Sequence, residues 1–345
     1  MTHALKQIMP TLAALVLLAV FSSGSGLAQT RIRMATLLPQ GSSQHHALEE
    51  MGQQWKASTG GAITLTIYAG GTMGSEDDTI RRMRAGQLQA ATLSVTGLSD
   101  IEPSIGAVQK IPMLYHSLDE MEYVRSKLRS QLEQRLQKGF VVLSWTDAGW
   151  IYIFSRQSYT RPQEFMSHKN KVFVTASDEH EVDLVNSLGF QAVPLEWPDV
   201  LIGLRTGLVD TIPVTPFYAL ASQFDAVAKH LLELKYVPLV GAIVMTKKAW
   251  DGITPAQRES LLKGAADAGN QIQLKSRAES DEAIEAMKKR GLQVQPVPPD
   301  LENEWRHFAE HVYPQMRDRI IPADIFDETL ALVAEYRATQ KPGHP

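Results

Sequence analysis

KNKVFVTASDEHEVDLVNSLGFQAVPLEWPDVLIGLRTGLVDTIPVTP, from Lys169 to Pro216, decides the fold. Lys171 to Val174 is a short apolar run that predicts a strand. Asp178 has the character of an N-cap, Glu181 follows three residues later as in a capping box, and Gly189 marks the helix end. Gln191 to Leu195 reads as extended, Asp199 to Thr206 as a helix closed by Gly207, and Leu208 to Ile212 as a third strand. Repeated βα units of this size build parallel sheets, and ligands sit at the carboxyl ends of their strands. Those ends are Phe173 to Ser177, Leu195 to Trp197 and Ile212 to Thr215, and they carry hardly any charge.

On the N-terminal side the same alternation continues. Arg31 to Leu37 and Ile63 to Tyr68 read as strands around an amphipathic helix over Ser42 to Ala57, which puts Leu48, Met51 and Trp55 on one face. The glycine-rich turn Ala69 to Ser75 opens a helix. A phosphate cradle there conflicts with Glu76, Asp77 and Asp78, which read instead as acids favoured by the helix dipole. Ile80 to Ala85 and Asp119 to Lys138 read as helices, Ala90 to Ser94 and Phe140 to Ser144 as strands. Trp150 to Ser155 reads as a separate strand that leaves this first unit.

On the C-terminal side, Pro216 to Leu232 reads as mostly helical and Tyr236 to Met245 as an apolar strand interrupted by Pro238 and Gly241. Thr254-Pro255 is a cap and first-turn pair. The helical pattern behind it runs to Gly291, about 36 residues or about 54 Å, long enough to brace two units. Leu292 to Val297 reads as a strand and Asp324 to Arg337 as a last helix. The chain thus crosses between two α/β units near Trp150 and back near Tyr236, which implies discontinuous lobes with a cleft between them. The expected limits are a targeting segment over 1–28, a first lobe over 29–149 plus about 237–270, a second over 150–236 plus about 271–300, and C-terminal helices over 301–345 packing on both.

The targeting segment rests on Lys6, the apolar run Leu12 to Phe21 and the small-residue stretch ending Gly26-Leu27-Ala28. The run is short for a bilayer span, and no cysteine follows it to carry a lipid. Export to the periplasm with cleavage is expected. Without Lys6 the remaining chain holds 33 Lys+Arg against 38 Asp+Glu, and no basic stretch is dense enough for nucleic acid. The complete lack of cysteine removes thiol catalysis and thiolate metal sites. There is no Gly-x-Ser-x-Gly elbow and no His-Glu-x-x-His zinc motif, so no catalytic residue, metal ligand or cofactor is expected. The dense cluster Asp178, Glu179, His180, Glu181 and Asp183 reads as solvated acids at a helix start, and the adjacent His45 and His46 as lying on different helix faces.

Five segments, IYAGGTMGSEDDTIRRMRAGQLQAA, KIPMLYHSLDEMEYV, NKVFV, LRTGLVD and KKAWDGITPAQRESLLKGAADAG, occur here in the order and spacing of a known family. The chain resembles the extracytoplasmic solute-binding subunit of TRAP transporters, the DctP type. The resemblance implies an α/β, two-lobed periplasmic binding protein fold, each lobe a mixed sheet flanked by helices, with the long helix across both. It also implies a monomer that closes on a small molecule and hands it to an integral membrane permease. In the family, an Arg that clamps the ligand carboxylate usually stands in the slot taken here by Phe173, and an Asn in the slot of Pro213 or Val214. A second basic slot falls near Tyr152 or Ile153, an aromatic slot on Trp197, and first-lobe loop slots on Leu37, Leu38 and Pro39.

A buried carboxylate without a cation costs several kcal/mol. The expected site is therefore Phe173, Trp197, Pro213, Val214, Leu38 and Trp150 for an apolar body, with hydroxyls from Thr96, Thr215, Tyr152 and Tyr218. Phe173 and Trp197 could equally be core or lobe-interface packing, and Trp150 a hinge residue. The expected ligand is a hydrophobic or weakly polar small molecule. The alternative is an organic acid held by a relocated base among Arg33, Arg156, Lys171 and Arg205.

Overall fold

The computed structural model describes residues 29–176 and 178–340, so the expected targeting segment and the last residues of the tail lie outside them. Among the described residues, nine strands form one sheet: β1 (Thr30–Thr36), β2 (Ile63–Tyr68), β3 (Ala90–Ser94), β4 (Phe140–Ser155), β5 (Lys171–Thr175), β6 (Gln191–Leu195), β7 (Thr211–Val214), β8 (His230–Thr246) and β9 (Gln293–Gln295). Their order is β2-β1-β3-β8-β4-β7-β5-β6, with β9 beside β8. Two parallel triplets, β2-β1-β3 and β7-β5-β6, flank the long antiparallel pair β4 and β8. β3 pairs with Gly241 to Met245 of β8, whereas β7 pairs with Tyr152 to Ser155 of β4. Each triplet therefore holds its own half of the long pair, and two lobes share one two-stranded waist.

The waist is irregular. The β4–β8 register shifts between Asp147 and Trp150 and again between Ile151 and Ile153. These bulges let Phe140–Ser155 run as one strand where the sequence read as two, because they absorb the Asp147-Ala148-Gly149 interruption without ending the pairing. Pro238 faces Trp150 at this irregular point, where a missing N–H is tolerated. The stretch expected to be helical to Leu232 is α-helical only over Pro216–Ala221, with a short 3-10 turn at Phe224–Ala226. His230 onward joins β8, since its alternating burial offers one apolar face to the core and its backbone pairs with both β4 and β9.

The long helix is Pro255–Lys288, 34 residues or about 51 Å. Thr254 and Gln257 close a reciprocal capping box at its start. Its buried stripe is mostly small: Gly264, Ala265, Ala268, Gly269, Ser276, Ser280 and Ala283. A Cβ at Gly269 would overlap the Ser144 hydroxyl, so glycine there lets the helix press onto β4, where Thr146 Oγ1 donates to the Gly269 carbonyl at 3.1 Å. At the bulge, Arg277 of the helix grips Asp147 of the waist through two bonds of 2.9 and 2.8 Å. No helix among the described residues is long and apolar enough to cross a membrane.

Candidate functional site

A cavity of about 830 Å³ lies between the lobes. One wall comes from the strand ends singled out in the sequence. Phe173 of β5, Trp197 just past β6, and Pro213 and Val214 of β7 all line it. The parallel βα arrangement brings these three ends to one edge of the second lobe. Phe173 and Trp197 meet edge to face at 5.0 Å, and Trp197 lies 6.1 Å from the Tyr218 ring. Thr215 and Tyr218, at the start of the Pro216–Ala221 helix, complete the wall. Across the cleft stand Leu37 and Pro39, with Thr96 beyond them. Tyr218 Oη donates to the Leu37 carbonyl at 2.9 Å, a bond from one lobe to the other, and burial pushes its phenol far up.

Seven of the ten expected site residues thus line the cavity; Leu38, Trp150 and Tyr152 do not. Leu38 turns to the opposite side from Leu37 and Pro39 and packs towards the Trp55 core. Trp150 is 8 % exposed within the first-lobe core, with the Lys235 ammonium 5.9 Å from its ring. Tyr152 is held in the sheet opposite Val214 and packs into the core behind Phe173 and Val214 without reaching the lining, and burial pushes its phenol up to about 12.

The lining also carries acids from both lobes, and sequence reading missed them. Glu76, expected to sit at a helix start as a dipole-favoured acid, reaches instead to the next helix. It accepts from the Ser94 N–H and Oγ at 2.6 Å each and from the Gly97 N–H at 3.0 Å. Ser94 makes no side-chain cap of its own, so Glu76 caps the Val95–Ile101 helix from outside. A Cβ on Gly97 would stand 2.7 Å from the Glu76 carboxylate, which is why glycine is needed there. Burial raises the Glu76 carboxyl despite these donors, and Asp77 adds to the rise. Ser75 and Asp78 do form a capping box at the Glu76–Arg84 helix.

Asp178 is the N-cap expected of it, accepting from the Glu181 N–H at 3.0 Å. It is 4 % exposed and pairs across the cleft with Lys110 at 2.6 Å, which corrects the reading of solvated acids. Burial pushes Glu181 up to about 7, with Asp178 adding and Lys110 opposing. Asp100, exposed on the lining, is pushed up to about 7 by partial desolvation and by its acidic neighbour Asp77. The available signal was Lys110 itself, a lone charge inside the otherwise uncharged stretch Ile105 to Leu114.

Six acids line the cavity (Glu76, Asp78, Asp100, Asp178, Glu181 and Glu196) against Lys110 and His180, and no arginine does. The four bases offered as replacements for the clamp lie elsewhere. Arg33 bonds Gln89 and Gly86, Arg156 and Lys171 pair with Asp210, and Arg205 is exposed in the last turn of its helix. His45, His46 and Glu49 bring ligand-type atoms within 4.8 Å of one another, closer than different helix faces would suggest. Those atoms are already engaged: His45 Nδ1 accepts from the Gly41 N–H at 3.3 Å, and His46 bonds Glu49 at 2.8 Å.

Comparison with known proteins fits this architecture. The C4-dicarboxylate-binding periplasmic protein DctP of Rhodobacter capsulatus is 22% identical over 275 residues, covering 79% of this chain and 81% of its own. The 2,3-diketo-L-gulonate-binding periplasmic protein YiaO of Escherichia coli is 24% identical over 309 residues, covering 88% and 90%. A TRAP periplasmic solute binding protein from Ralstonia eutropha, solved with bound (S)-2-acetolactate, superposes with a TM-score of 0.81 at 21% identity, over 88% of this chain and 99% of that one. The model of bacterial extracellular solute-binding protein family 7, DctP, matches residues 34–319. The chain therefore belongs to the DctP family of bacterial extracellular solute-binding proteins, the solute-binding subunits of TRAP transporters.

Proposed function

We propose that this solute-binding protein captures a small, largely apolar solute bearing one or two polar groups, and that it delivers this solute to a TRAP-type membrane permease. The observation that carries the reading is the wall built from Phe173, Trp197, Pro213 and Val214 in a cavity that no arginine lines. A carboxylate in such a place meets a desolvation cost against which the lining offers only Lys110, already paired with Asp178. In this reading residues 29–149 with about 237–270 close as one lobe against 150–236 with about 271–300, and 1–28 direct export and are removed. The protein works as a monomer and turns nothing over. A thermal-shift screen tests this. Apolar and amphipathic compounds raise Tm, and small dicarboxylates at millimolar concentration leave it within a degree. A rise of many degrees with dicarboxylates rejects the reading.

A second reading, an organic-acid ligand, is favoured by the acids and sugar acids named for the relatives and by Lys110 on the cavity wall. Lys110 would have to leave Asp178 to serve as the clamp. Loss of carboxylate binding in Lys110→Ala supports that reading, and its absence from the wild-type protein ends it.

A further inference from the structure

The acidic wall of the cavity is not used up by the protein. Glu76 is satisfied by three donors from the Val95–Ile101 helix, and Asp78 by Ser75 and Arg81. Asp178 holds Lys110, the one lysine of the lining. Glu181 also faces the cavity, and no described residue donates a hydrogen bond to its carboxyl. Asp100, exposed at the end of the Val95–Ile101 helix, has another acid, Asp77, as its neighbour, and like charges disfavour the ionised pair until a cation arrives. Of the six lining acids, Asp100, Glu181 and Glu196 thus have no ion-pair partner among the described residues, and they share the cavity with the aromatic side chains of Phe173, Trp197 and Tyr218.

We infer that the solute carries a protonated amino group, with Glu181 and Asp100 as its counterions and the aromatic wall as the seat of its apolar body. This rests on the apolar-solute reading above and adds the charge of the polar end. An ammonium fits both walls: it relieves the acid pair by charge, and aromatic faces attract cations as well as apolar groups. A carboxylate would meet the same acids as a repulsion.

The charge of the two acids sets a pH dependence. Glu181 is faced by Asp178 and Lys110, with Tyr236 and His180 also on the lining; Asp100 is faced by Asp77, Asp178 and Lys110. Both are held near half-protonation around pH 7. An arriving cation favours their charged forms, so binding releases protons and strengthens as pH rises. A neutral solute has no such linkage, and an anion has the opposite one.

Isothermal titration calorimetry with 2-phenylethylamine, 2-phenylethanol and phenylacetate, one skeleton with three charges, tests this on the mature protein at pH 5.5 and 7.5. The amine should bind at least about tenfold tighter than the alcohol at pH 7.5, lose about tenfold in affinity at pH 5.5, and release protons that show as a buffer-dependent heat. Alcohol binding as tight as amine binding overturns the inference while leaving the apolar-solute reading standing. Phenylacetate binding tightest overturns both. No binding of any of the three at millimolar concentration overturns the inference. Glu181→Gln and Asp100→Asn should each cut the amine-to-alcohol affinity ratio about tenfold, and an unchanged ratio in both variants, whose melting curves report folding, also overturns it.

Discussion

Two places in this protein crowd acids, and they are finished differently. At the waist, Asp147 is 1 % exposed and is met bidentately by Arg277, with the Gly149 N–H adding a third donor at 3.3 Å. In the cleft, Glu181 is half-buried and Asp100 exposed, and partial enclosure together with neighbouring acids pushes both towards neutrality. A saturated acid fixes geometry, here the seat of the brace on the bulged waist. An unsaturated acid stores a preference for whatever arrives with the missing charge or donors, at a cost in stability of the empty protein.

Breaking the saturated site should have the largest effect. Arg277→Met strands the Asp147 charge and should cost about 3 kcal/mol in urea denaturation. The double variant with Asp147→Leu should recover most of that, because removing both charges restores the balance. Next comes the helix cap. Gly97→Ala drives a methyl into the Glu76 carboxylate and should cost about 2 kcal/mol, read by the same assay. The unsaturated site should respond with the opposite sign. Because the folded carboxyl of Glu181 is raised, its contribution to stability is full below the ordinary carboxylate range and is lost as pH rises towards about 7. Glu181→Gln should therefore stabilise the ligand-free protein at pH 8, by about 1 kcal/mol, and flatten the fall of Tm between pH 4 and 7. Finally, Tyr218→Phe deletes the interlobe bond to Leu37 and should weaken closure by about 1 kcal/mol, read as a several-fold rise in solute Kd.

The edge that carries the apolar wall was legible from sequence because strand ends in repeated βα units face one way, while the choice of Phe173, Trp197, Pro213 and Val214 within those ends came from the slots that the family resemblance implies. Single-residue phase was harder. Leu38 and its neighbours differ only in which side of a loop they take, and period-two alternation at a strand exit gives no warning of a turn. The waist misled for a related reason: Trp150 and Tyr152 stand where β4 bulges, and bulges shift the face a residue presents. The acidic wall was illegible because an acid at a helix start satisfies a local rule, the dipole, whichever way its side chain points. Glu76 and Asp178 do sit at such starts, but tertiary packing turns them into the cleft, where their partners are far away in sequence: Ser94 and Gly97 for one, Lys110 for the other.

The most direct test of the cleft as a site for an apolar, amine-bearing solute is to purify the protein from its native periplasm and identify the bound molecule by mass spectrometry. The account predicts a compound with an apolar body and a basic nitrogen, carrying no free carboxylate. A uronate or a dicarboxylate in the cleft would contradict it.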